Sequence, residues 1–189
     1  MKIGFGISGS FCNHAHALEV LKEVKDKGYD VTCFVTEPVL TYDTRFGKAR
    51  DLISKIIEIT GKEPVTTIVE AEQYGPKYKL DAFIVLPTTA VTLSKLANGL
   101  YDDALTLGVK AHLRNNRPVI IGVSSNDLLG ISAVNLARLL NYKYIYFIPF
   151  YQDDPFNKPK SLMADYSLTI PTLEMALKGE QIQPILLQK

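Results

Sequence analysis

Apolar residues along the chain fall into two textures. Short unbroken runs of strand length occupy Ile3 to Ile7, Val31 to Val35, Val65 to Val69, Ala82 to Leu86, Val119 to Val123 and Tyr144 to Ile148. Between them lie longer stretches in which apolar positions return every third or fourth residue. Ala17, Leu18, Leu21 and Val24 make one such stripe within Asn13 to Lys27, and Leu52, Ile53, Ile56 and Ile57 make another within Thr44 to Thr60. That period gathers side chains on one face of a helix. Gly28 and Gly61 stand where left-handed caps would close these two helices. Further helices are expected over Asp103 to Asn115 and over Ile131 to Leu140, the latter with Val134, Leu136, Ala137, Leu139 and Leu140.

Strands apolar throughout are buried on both faces, as in a parallel sheet covered by helices. Alternation of strand and helix at this spacing favours right-handed βαβ units. The pattern predicts one α/β domain over residues 1–189, a doubly wound, Rossmann/flavodoxin-like three-layer fold with a parallel sheet of about six strands. Residues 151–161 (YQDDPFNKPKS), with two prolines among charges, read as an arm-like loop, and residues 172–178 as a C-terminal helix.

Composition narrows the function. With 47% hydrophobic and 22% charged residues over 189 positions, the chain can build a sizeable core and is not expected to be disordered. A formal net charge of +1 supplies no basic excess for nucleic acid or an acidic membrane. No apolar run approaches the roughly 20 residues that span a bilayer, and the N-terminus turns polar at Ser8-Gly9-Ser10 too early for a signal peptide. A cytoplasmic protein is expected. Cys12 and Cys33 form no CxxC pair, and His14, His16 and His112 are scattered, so no metal site is expected.

In an open α/β sheet, ligands collect beyond the carboxyl ends of the strands. Gly9 and Ser10 follow the first strand, where a glycine turn before a helix lets backbone N–H groups approach a phosphate, or simply makes a tight turn. Thr36 follows the second strand. Pro87-Thr88-Thr89-Ala90-Val91-Thr92-Leu93-Ser94-Lys95 follows another, and one N-cap does not require so many hydroxyls. Ser124 and its neighbours Ser125, Asn126 and Asp127 close the Val119–Val123 strand. Gly9, Ser10, Thr36, Thr88, Thr89, Thr92, Lys95 and Ser124 are therefore the candidate cofactor-binding residues. For an anionic substrate, Arg45, Arg114 and Tyr151 are candidates, with Lys158 as a further point charge; arginine forks suit carboxylates.

These pieces, in this order, resemble the flavoprotein superfamily that includes flavin prenyltransferases and flavin-dependent cysteine decarboxylases. Within it, YDTRFG from Tyr42, AEQYGPK from Ala71, KAHLRNNRP from Lys110, SSNDLLGISAVNLARLL from Ser124 and FIPFYQDDPFNKPKSL from Phe147 are similar to the dipicolinate synthase B-subunit family. The resemblance covers nearly the whole chain. It implies an FMN crevice at the hydroxyl cluster and a partner, the dipicolinate synthase A subunit, which carries NAD(P). Together the two would convert a dihydrodipicolinate-type dicarboxylate to dipicolinate in the mother cell of a sporulating bacterium. It also implies an oxidoreductase role and a homo-oligomer. Ala90 and Val91 stand where the family pattern reads Gly-Asn, and Val91 lacks the amide that would touch a flavin ring, which weakens the FMN expectation. The resemblance assigns no catalytic residue. A histidine base for cysteine decarboxylation is missing from Val65 to Val69, and Ser124-Ser125 stand where prenyltransferases need an Arg-Glu pair.

Overall fold

A computed structural model describes residues 1–188. Five parallel strands form its centre: β1 (Lys2–Ile7), β2 (Asp30–Val35), β3 (Ala82–Thr88), β4 (Val119–Ser125) and β5 (Ile145–Phe147). Their spatial order is β2-β1-β3-β4-β5, which is a flavodoxin-like three-layer arrangement. The order reverses between β1 and β3, so a crevice opens beyond their carboxyl ends. The apolar runs explain the burial: every residue of β3 is buried, as are five of six in β1. The β3–β4 register slips between Val85 and Thr88.

The helices are α1 (His14–Asp26), α2 (Glu37–Thr41), α3 (Ala49–Thr60), α4 (Ile68–Glu72), α5 (Ala90–Asn98), α6 (Ala104–Leu113), α7 (Ala133–Leu140) and α8 (Thr169–Ala176). α1 packs on α3, α4 on α6, α5 on α7, and α8 on β4 and β5. Gly28 (φ 78°) and Gly61 (φ 73°) take the left-handed conformation that the stripe boundaries predict. Among the described residues no helix is long and apolar enough to cross a membrane.

Several expectations are corrected. Val65 to Val69 is not a strand. Val65 makes one bridge to Phe34, and Thr67 then caps α4, its Oγ1 accepting from Glu70 N at 3.2 Å while the Glu70 carboxylate accepts from Thr67 N. That reciprocal capping box overrides the β-branched run. The expected parallel sheet of about six strands stands, its five parallel strands extended to seven by an antiparallel pair. Residues 151–161 lie largely in a hairpin between β6 (Phe150–Tyr151) and β7 (Leu162–Ala164), and β7 runs antiparallel to the end of β4 through Ser124 and Ser125. The 44–60 helix begins only at Ala49, after a turn in which Thr44 and Gly47 exchange backbone hydrogen bonds. The last parallel strand is Ile145–Phe147, since Tyr144 has φ 68°. The C-terminal helix starts at Thr169 and ends at Ala176, earlier than expected.

Candidate functional site

The crevice forms where the β1, β3 and β4 ends meet the arm. Ser8, hidden from solvent, joins two of these ends: its Oγ donates to Pro87 O at 2.7 Å and accepts from Thr89 N at 3.0 Å. His14 Nε2 lies 2.9 Å from Ser8 O. A carbonyl only accepts, so this nitrogen carries the proton. Burial lowers the His14 pKa, opposed by the same hydrogen bond, which favours a neutral ring holding the turn. Across the crevice floor, Ser10 Oγ and Ser124 Oγ are 2.9 Å apart, and Asn13 Nδ2 donates to both, at 3.2 and 2.7 Å. Two loops far apart in sequence are thus tied into one polar floor.

The cavity measures about 480 Å³, within the range of small-molecule sites. Its wall includes Gly9, Ser10, Asn13, Thr89, Val91 and Ser124 from the sheet side, Asp153, Lys158 and Ser161 from the arm, and Met163 from β7. A smaller cavity of about 240 Å³ adjoins it, sharing Phe11, Cys12 and Phe46.

Of the residues expected from sequence, Gly9, Ser10, Thr89 and Ser124 come together in the wall. Thr89 also caps α5, accepting from Thr92 N at 3.3 Å and donating to Thr92 Oγ1 at 3.1 Å, so Thr92 stands one turn behind the wall. Thr88 turns back on its own strand, donating to Val85 O at 2.8 Å. Thr36 N donates to Ile7 O beside the glycine turn; its buried Oγ1 has no hydrogen-bond partner among the described residues. Gly9 leaves room beside it, since a side chain there would meet Pro38 only at ordinary contact distance. An orphaned hydroxyl beside a glycine turn and two serines suits an anionic phosphate, which hydroxyl and backbone N–H donors can hold. By that measure the residues fit a flavin nucleotide.

Lys95 is not in the wall. Its ammonium lies 2.7 Å from Asp102 and 2.8 Å from Asp103, across the α5–α6 connection. Burial opposes its charge, but the hydrogen bonds to the two carboxylates outweigh it and raise its pKa. Arg114 lies at the opposite pole. α6 runs back from the carboxyl ends, so the residue that ends it emerges near the start of β4. Arg45 is exposed on the 44–47 turn, its guanidinium carbon 4.8 Å from the Phe46 ring centre, beside the crevice rather than in it. Tyr151 lines a neighbouring hollow with His16, Tyr166 and Met163.

Ser8 and Asn13 escaped sequence reasoning. Both are small polar residues near a helix start, and only the spatial return of β3 and β4 reveals their partners. Tyr166 was also missed. Burial raises its pKa, against the influence of nearby Ser124.

A sequence profile described as Flavoprotein matches residues 1–165. The chain is 44% identical over 187 residues to the B subunit of dipicolinate synthase from Bacillus subtilis (strain 168), covering 99% of this chain and 94% of that protein. The crystal structure of the dipicolinate synthase B subunit from Bacillus halodurans C superimposes with a TM-score of 0.92 at 44% identity, over 100% of this chain and 96% of that one. The FMN-dependent cysteine decarboxylase SpaF shares the fold, with a TM-score of 0.68 at 23% identity over 93% and 97% of the two chains.

Proposed function

We propose, on the premise that the chain belongs to the Flavoprotein family and within it to the dipicolinate synthase B subunits, that it is the FMN-binding half of a two-subunit dipicolinate synthase. The observation that carries this reading is the full-length likeness at 44% identity. The substrate is a dihydrodipicolinate-type dicarboxylate, and the setting is the mother cell during sporulation. The partner is the A subunit, which carries NAD(P). The overall reaction is an oxidation or dehydration that yields the pyridine ring.

Gly9, Ser10, Thr36 and Thr89 are the residues that would hold the flavin phosphate, with the Ser10–Asn13–Ser124 floor beneath it. A bound flavin supplies two-electron redox chemistry. The chain's own work is to position ligands and exclude water. Ser8 and His14 fix the first turn, Asn13 orients both floor serines, and the arm closes the outer side. Val91, 66% exposed at the mouth, offers no hydrogen bond and favours a second reading: a non-catalytic subunit that supports its partner. An FMN-dependent cysteine decarboxylase is disfavoured because Val65 to Val69 carries no histidine base, and a prenyltransferase because Ser124 and Ser125 stand in place of its Arg-Glu pair.

Two measurements test the proposal. The purified chain, incubated with FMN and desalted, is expected to retain flavin absorbance, and dipicolinate is expected to form only when both subunits are mixed. Thr36→Val replaces the orphaned hydroxyl by an isostere; a hydrogen bond to a charged group is worth about 1.5–3 kcal/mol. FMN affinity should fall by about tenfold or more, with thermal stability unchanged or higher because an unsatisfied group has gone. A variant binding FMN as the wild type does would remove Thr36 from the site. Dipicolinate formation with flavin-free protein at the full rate would move the weight to the second reading.

A further inference from the structure

Asp153 and Lys158 are the only charged side chains in the crevice wall among the described residues, and both come from the arm. They are held side by side by their neighbours. Asp154 Oδ1 accepts from Asn157 N at 3.0 Å and from Asn157 Nδ2 at 3.1 Å, and Lys158 N donates to Asp154 O at 2.8 Å. Asp154 is thereby spent on the loop. Asp153 is not. Its Oδ2 meets Lys158 Nζ at a long 3.6 Å, while its Oδ1 is shut from water and has no hydrogen-bond partner among the described residues. A carboxylate oxygen that is dehydrated without a donor costs free energy that a ligand donor would return. The Lys158 side chain, 55% exposed, can take an anion at the mouth.

We infer that Asp153 and Lys158 read one edge of the crevice ligand, a ring N–H flanked by carboxylate or carbonyl oxygens. Asp153 Oδ1 accepts from the N–H, and Lys158 donates to a flanking oxygen. The inference rests on the proposed reading of the crevice, in which two ligands carry such an edge: the imide of the flavin, and the enamine tautomer of a dihydrodipicolinate-type substrate, whose ring N–H lies between two carboxylates.

The full chain is titrated with two probe pairs, each differing at the N–H. FMN is compared with its 3-methyl analogue, and 4-pyridone-2,6-dicarboxylate, whose ring N–H lies between two carboxylates, with its 1-methyl derivative. Wild type should prefer the N–H member of at least one pair by about tenfold, the weight of one charged hydrogen bond. In Asp153→Ala that preference should drop below about twofold, and Lys158→Gln should weaken both members of the pair alike. Asp153→Asn, which keeps the shape of the loop, guards against a folding defect. The pair that responds names the source of the edge. Absence of FMN binding with a responsive dicarboxylate pair would sink the flavin reading alone. Equal preference in wild type and Asp153→Ala for both pairs, or none in wild type, would overturn the inference.

Discussion

His112 is the most completely dehydrated titratable ring in the chain, at 0% exposure, and it lies far from the crevice on α6. Its Nε2 is 3.0 Å from Pro118 O and must donate there, which leaves Nδ1 buried without a partner among the described residues. Protonating Nδ1 would bury a cation with no acceptor, so burial, opposed by the Pro118 hydrogen bond, lowers the pKa from 6.5 to about 4. The unfolded chain takes up this proton below pH 6.5, while the folded one does not until about pH 4. Stability is therefore full above pH 6.5 and is lost as the pH falls towards 4, by about 3 kcal/mol from this group. His14 contributes in the same sense. In His112→Gln, whose amide can keep the bond to Pro118, urea unfolding should lose this part of the pH dependence. The gap between wild type and variant then narrows as the pH falls from neutrality towards the folded-state pKa. Parallel curves would contradict the assignment.

At the scale of elements, Lys95 shows how a residue and its surroundings part company. A lysine one turn past a threonine cluster looks like a phosphate ligand. Its partners, Asp102 and Asp103, lie beyond the left-handed turn at Gly99, and Asp103 also caps α6 by accepting from Thr106 N at 2.8 Å. Lys95→Met should therefore leave FMN affinity within about twofold of wild type and cost at most about 1 kcal/mol in denaturant unfolding, as fits a part-exposed ion pair. A tenfold loss of affinity would return Lys95 to the site. The parallel strands and long helices were legible because burial on two faces and on one stripe leaves different periods. The antiparallel hairpin was not, since β6 and β7 are two and three residues long and carry no period of their own. The α4 start was legible in principle: Thr67 and Glu70 have the spacing of a capping box, which competed with a valine-rich run and won. The hydroxyl half of the crevice could be read from strand ends. The arm half could not, because which wall Asp153 joins depends on β7 folding back onto β4.

Across the whole molecule, apolar side chains remain uncovered beside the arm. Phe156 at its tip is 94% exposed and Ile131 is 88% exposed, with Val134, Leu129 and Val91 also exposed. Single exposed apolar residues are ordinary. These belong to adjoining segments, for Leu129 N donates to Lys160 O at 2.9 Å and so holds the start of the α7 region against the base of the arm. Uncovered apolar residues on adjoining segments offer an interface, and Val91 among them belongs to the crevice wall. The expected arrangement is a homo-oligomer in which a neighbouring copy closes the crevice. Light scattering at tens of micromolar should then give a mass well above the 21.0 kDa of one chain. The Ile131→Ser, Phe156→Ser double variant should shift it towards the monomer and weaken FMN retention, while far-ultraviolet circular dichroism stays unchanged because neither side chain enters the core. A monomeric wild type would assign the patch to the proposed partner subunit instead, and adding that partner would then protect the same two positions.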